Sequence, residues 1–178
     1  MYTDVDEFPL YRHYYLRVNN EGRNRLTVGT FLTGLTFGTF TARLAVTALT
    51  GLNLQTLLVA AIDTFLGTAT FLFLLTTLST YTALQLLARL SPSAQAALGA
   101  PTPVALDDHD ARRLKTAYTA YEEPANFILW ALGLIVASLL LMAFLASPVV
   151  GIAVAFILLL LLYRLPRSLD ATLDALNR

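Results

Sequence analysis

FILWALGLIVASLLLMAFLASPVVGIAVAFILLLLLY, residues 127–163, holds no charged side chain and only two serines, Ser138 and Ser147. A segment this apolar has no polar stripe to turn toward water, so it is not the surface helix of a soluble protein. It breaks at Ser147-Pro148, where serine can cap a helix N-terminus and proline suits its first turn. It therefore reads as two consecutive membrane helices, Phe127–Ala146 and Val149–Tyr163. A hydrocarbon core of about 30 Å needs about 20 residues of helix, so the second is short and reads as tilted or re-entrant.

Working outward, two more apolar blocks appear, Leu26–Leu49 and Leu54–Tyr81. They account for the composition: 56% hydrophobic and 13% charged residues, against about 45–50% and about 25% in ordinary soluble domains. Mean hydropathy is +0.62. The expected fold is all-α, a polytopic membrane protein with four transmembrane helices arranged as two hairpins and a short cytosolic linker helix between them. Its segments are a cytosolic or interfacial N-terminal stretch (1–25), a polar, Gly/Thr-rich first hairpin (26–81), the linker (82–123), an apolar second hairpin (124–163) and a cytosolic tail (164–178). The acidic start MYTDVDEFPL lacks the basic region of a signal peptide, so the first membrane helix is expected to act as its own insertion signal.

Arginine and lysine set the orientation. Arg12, Arg17, Arg23 and Arg25 precede the first block; Arg89, Arg112, Arg113 and Lys115 lie in the linker; Arg164, Arg167 and Arg178 lie in the tail. The short turns Thr50–Asn53 and Ser147–Pro148 carry none. This predicts a multi-pass protein of the cytoplasmic (bacterial inner) membrane with both termini in the cytoplasm. FPLYRHYYLRV mixes aromatics with cations and reads as lying at the lipid headgroups. In the linker, Ser91-Pro92 reads as a helix stop, SAQAALGAPTPVA as a Pro/Gly/Ala connection, and DDHDARRLKTAYTAYEE as a short surface helix ending at Pro124.

The first block carries threonine at every third position: Thr27, Thr30, Thr33, Thr36 and Thr39. At about 100° per residue they fall at about 0°, 300°, 240°, 180° and 120° round a helix, so they line no single face. Two faces emerge. Thr30, Gly34, Gly38 and Ala42 form a small-xxx-small run of the kind that lets another helix approach closely. Thr36, Thr39 and Arg43 form a polar stripe with a charge in it, continued by Thr47. In the second block, Thr56, Asp63, Thr70 and Thr77 recur every seven residues, nearly two helical turns, and so share a stripe, with Gly67 on an accompanying line. Arg43 and Asp63 are each ten residues from Asn53 in the turn, which places both about 15 Å down an antiparallel pair. An intramembrane charge costs at least about 2.5–3.5 kcal/mol on insertion scales, so Asp63 is expected to face protein or water, with Arg43 as its ion-pair partner.

Several chemistries are excluded. Zero cysteines remove disulfides and thiolate sites, and zero net charge argues against a nucleic-acid partner. Catalytic and nucleotide-binding signatures are missing, both histidines lie outside the apolar blocks, and Asp107, Asp108, His109 and Asp110 diverge at a helix start. The sequence predicts no enzyme, no metal and no cofactor. It predicts a homo-oligomeric cation or proton channel or transport unit lined by Asp63, Arg43, Thr36, Thr39, Thr70 and Thr77, packed through Thr30, Gly34, Gly38, Ala42 and Gly67. The alternative is a non-conducting membrane subunit or anchor, holding a cytosolic or membrane partner protein through its glycine face and linker.

Overall fold

The computed structural model describes residues 7–46, 54–100, 105–157 and 159. The turn 50–53, Thr47, Tyr163 and the tail 164–178 lie outside the described residues. Those described form helices and no strand element: α1 (Phe8–Val46), α2 (Leu54–Ala88), α3 (Pro92–Gly99), α4 (Asp108–Glu122) and α5 (Ala125–Ala146), then α6 (Pro148–Ile157).

α1 and α2 run side by side in opposite directions. Gly22 meets Leu84, Gly29 meets Thr77 and Gly67 meets Phe40, while Arg43 reaches Asp63. α5 lies against the middle of α2, where Ala69, Phe73 and Ala131 are fully buried and Leu32, Ile128 and Ile135 pack around them. Two helices are long and apolar enough to cross a membrane: α2, and α4 continued into α5. Only 33% of the most apolar window in the first is buried within the chain, and 11% in the second. A core helix of a soluble protein would be mostly covered. Here Phe71, Leu78, Leu129, Trp130 and Leu139 are more than half exposed.

The opposite end of the molecule is a polar cap with its own core. The first half of α1, the end of α2, and α3 and α4 bury Val18, Leu87, Leu98, Leu114 and Ala117 together. α1 crosses the expected boundary at 25–26 without a break and rises into the cap as one helix. Its aromatic-cationic segment takes α4 as a packing partner. Tyr14 stacks on Tyr118 at 4.0 Å between centroids, and Arg17 donates to the Tyr118 hydroxyl at 3.2 Å while pairing with Glu122 at 3.2 Å.

The first part of the Pro/Gly/Ala connection is helical, as α3. Ser91 caps it, its Oγ accepting from the Ala94 N–H at 3.2 Å, with Pro92 in the first turn. The same hydroxyl donates to Asp110 Oδ2 at 2.6 Å, and Arg113 donates to the Arg89 carbonyl oxygen at 2.7 Å. α4 thus clips the corner where α2 turns into α3. Asp107 stands at the N-cap of α4 without a side-chain capping bond.

Tyr121, almost fully buried, ties the cap to α1. Its hydroxyl donates to Glu21 Oε2 at 2.9 Å, and the Arg25 guanidinium sits 3.6 Å above its ring centroid. Burial, reinforced by the Glu21 carboxylate, pushes the phenol from 10.0 up to about 12, with Arg25 opposing. The folded state therefore holds this proton more tightly than the unfolded chain. Its contribution to stability is complete below about pH 10 and is lost as pH rises toward 12. Tyrosinate absorbance during alkaline titration should show a step near pH 12 that Tyr121→Phe removes. The same variant should soften the loss of cap stability between pH 10 and 12.

Candidate functional site

The site is built on a seam between α1 and α2. Each seven-residue step up α1, from Gly22 to Gly29, Thr36 and Arg43, is answered by one down α2, from Leu84 to Thr77, Thr70 and Asp63. Seven residues is close to two turns, so this register holds over three steps, about 30 Å of helix. The contents differ at each level. A Cβ added at Gly22 would lie 3.3 Å from Leu84 Cδ2, and one at Gly29 would lie 2.7 Å from Thr77 Oγ1. The two backbones are close there because glycine offers no side chain. Thr36 and Thr70, opposite one another in the register, are both buried. At the last level Arg43 Nε donates to Asp63 Oδ1 at 2.7 Å.

This pair is partly enclosed: the side chains are 25% exposed for Arg43 and 12% for Asp63. Leu66 and Ile62 are buried beside Asp63 on α2, so little water replaces the partner if one charge is removed. The geometry answers each charge within the chain.

The threonines divide by face but share one chemistry. Thr30, Thr33, Thr36 and Thr39 donate to the carbonyl oxygens of Leu26, Gly29, Leu32 and Leu35, at 2.7–2.9 Å. Thr70 and Thr77 donate to those of Leu66 and Phe73, both at 2.8 Å. Each hydroxyl thus places its proton on its own helix, the usual way such a residue is satisfied without water, and presents only oxygen lone pairs outward. Of the residues expected along a polar path, Arg43, Asp63, Thr36, Thr70 and Thr77 lie on the seam. Thr39 is exposed on another face of α1.

The expected packing face is split in the same way. Gly67 is used within the chain, with the Phe40 ring 3.3 Å from where its Cβ would be. Thr30, Gly34, Gly38 and Ala42 are all exposed, and nothing lies within 4 Å of a Cβ built at Gly34 or Gly38. Sequence reasoning missed Gly22 and Gly29, the glycines that α2 covers. Their signal was the heptad itself: stepping back from Arg43 by sevens reaches both.

Among the described residues no three His, Cys, Asp or Glu side chains converge to hold a metal ion. Asp110 turns to Ser91 instead. Comparison with known protein families, characterised proteins and solved structures finds no match to this chain.

Proposed function

We propose that the chain is a multi-pass membrane protein acting as a non-conducting, homo-oligomeric subunit or anchor. In this reading residues 26–46, α2, α5 and the segment beginning at Pro148 cross the bilayer as two hairpins, and the polar cap sits in the cytoplasm with both termini. The distribution of arginine and lysine supports that orientation, and the bare apolar faces of α2 and α5 support the bilayer. The observation that carries the choice of role is the 2.7 Å pair between Arg43 and Asp63. An aspartate held by an arginine is a poor cation ligand and a good lock between two helices. The exposed Thr30, Gly34, Gly38 and Ala42 face is the surface offered to a second copy, and the cap is the surface offered to a cytosolic partner.

Cation or proton transport is the second reading. The incomplete burial of the pair favours it, since an arginine side chain 25% exposed at membrane depth calls for protein or water beside it. Native mass measurement of detergent-purified protein tests the assembly. Wild type should be oligomeric, and Gly34→Leu with Gly38→Leu should shift it strongly to monomer; a monomeric wild type would overturn the oligomer. Proton or cation flux into liposomes separates the roles. The anchor reading expects none from wild type, whereas flux abolished by Asp63→Asn would replace it with transport.

A further inference from the structure

A cavity of about 230 Å³ opens between α1, α2 and α5 where the cap meets the apolar part of the molecule. Val28 and Leu32 of α1, Phe73 of α2 and Ile128 of α5 form its apolar wall, and Asn24 and Arg25 stand one turn before Val28 along α1. The cavity wall is almost wholly apolar, and Asn24, exposed, and Arg25, half-buried, stand at its end toward the cap. Val28, at the edge, is 55% exposed, so the cavity is open to whatever surrounds the helices.

Arg25 is held in place and keeps donors in hand. It donates to the Tyr121 carbonyl oxygen through Nη1, with its Cζ 3.6 Å from the Tyr121 ring centroid. A guanidinium has five N–H donors in a fixed fork, so that single bond leaves room for a second, anionic acceptor. Arg23, exposed on the same helix, adds positive charge to this end.

The geometry points to a binding site for one anionic phospholipid of the surrounding bilayer, with an acyl chain against Val28, Leu32 and Ile128, above the buried Phe73, and its phosphate at the cap end on Arg25 and Asn24. The inference rests on the membrane reading above. Charge and depth choose the occupant. In the proposed orientation Arg25 is at the cytoplasmic headgroup level, where anionic lipids are concentrated and basic pockets between helices collect their head groups. A soluble anion would use the arginine and leave the apolar wall unfilled.

The test uses the full chain, reconstituted in nanodiscs of mixed phosphatidylglycerol and phosphatidylcholine and released into the mass spectrometer. Wild type should retain one phosphatidylglycerol in preference to phosphatidylcholine. Arg25→Gln should weaken that retention about tenfold, the effect of losing one charge-assisted hydrogen bond. Val28→Trp, which fills the open edge without touching the cap, should abolish it while thermal stability stays at the wild-type value. Equal retention of the two lipids would overturn the site, as would retention unchanged in Val28→Trp or displacement of the lipid by millimolar inorganic phosphate. Alkaline extraction of native membranes separates the two levels of failure. Protein that stays in the membrane without lipid preference loses only the lipid site, and protein that washes off loses the membrane reading as well.

Discussion

Arg43→Met is expected to destabilise the protein by about 3–5 kcal/mol, the usual result of removing one member of an enclosed ion pair. The loss is large because Asp63, with a side chain only 12% exposed, stays behind with its charge unanswered. Asp63→Leu alone should cost a similar amount, since it strands the guanidinium. The double variant Arg43→Met/Asp63→Leu should recover most of the loss, because a well-packed apolar pair in the same place is often as stable as the ions it replaces. Unfolding in detergent micelles, followed for all four members of the cycle, measures this. Costs that simply add in the double variant would show that the two residues do not act as a pair.

The second large effect is at Gly29, and its sign reverses with the partner. A Cβ there would stand 2.7 Å from Thr77 Oγ1, with Thr77 Cβ next at 3.7 Å. The hydroxyl is not free to move aside at no cost, because it donates to the Phe73 carbonyl oxygen at 2.8 Å. Gly29→Ala should therefore destabilise the wild type by about 1–3 kcal/mol through overpacking. In a Thr77→Ala background the obstructing oxygen is gone and the nearest atom is at ordinary contact distance. There the same substitution should stabilise by about 1 kcal/mol, the helix-propensity gain of alanine over glycine. Thermal or denaturant midpoints of the four proteins check both signs.

The parts of this molecule that follow from periodicity were legible in the sequence, and those that depend on tertiary partners were not. The seven-residue line through Asp63, Thr70 and Thr77 is visible without a structure, and counting from Asn53 is enough to set Arg43 at the depth of Asp63. The matching line on α1 was hidden. The threonines at every third position draw the eye to a spacing that winds round the helix. The assumed start of the span near residue 26 also cut Gly22 away from Gly29, although both are in one helix. The glycines that read as a packing face, Gly34 and Gly38, are on the far side from α2, since GxxxG says only that a close approach is allowed and not by which neighbour. α3 was missed although Ser91-Pro92 has the same cap signature as Ser147-Pro148, because a helix stop and a helix start can share two residues. The cap was the least readable part. Nothing in FPLYRHYYLRV says that its tyrosines and Arg17 will meet Tyr118 and Glu122, about a hundred residues away along the chain.

The register of α1 against α2 brings Arg43 to Asp63 and leaves the Gly34 face open. The absence of native cysteine makes it directly measurable by cross-linking in membranes. The 3.7 Å between an added Cβ at Gly29 and Thr77 Cβ falls within the Cβ separation of a disulfide, about 3.5–4.5 Å. Gly29→Cys/Thr77→Cys should close an intramolecular disulfide under mild oxidation, while Gly34→Cys/Thr77→Cys should not. A bond formed by the second pair and not by the first would contradict the seam, and with it the pairing of Arg43 with Asp63.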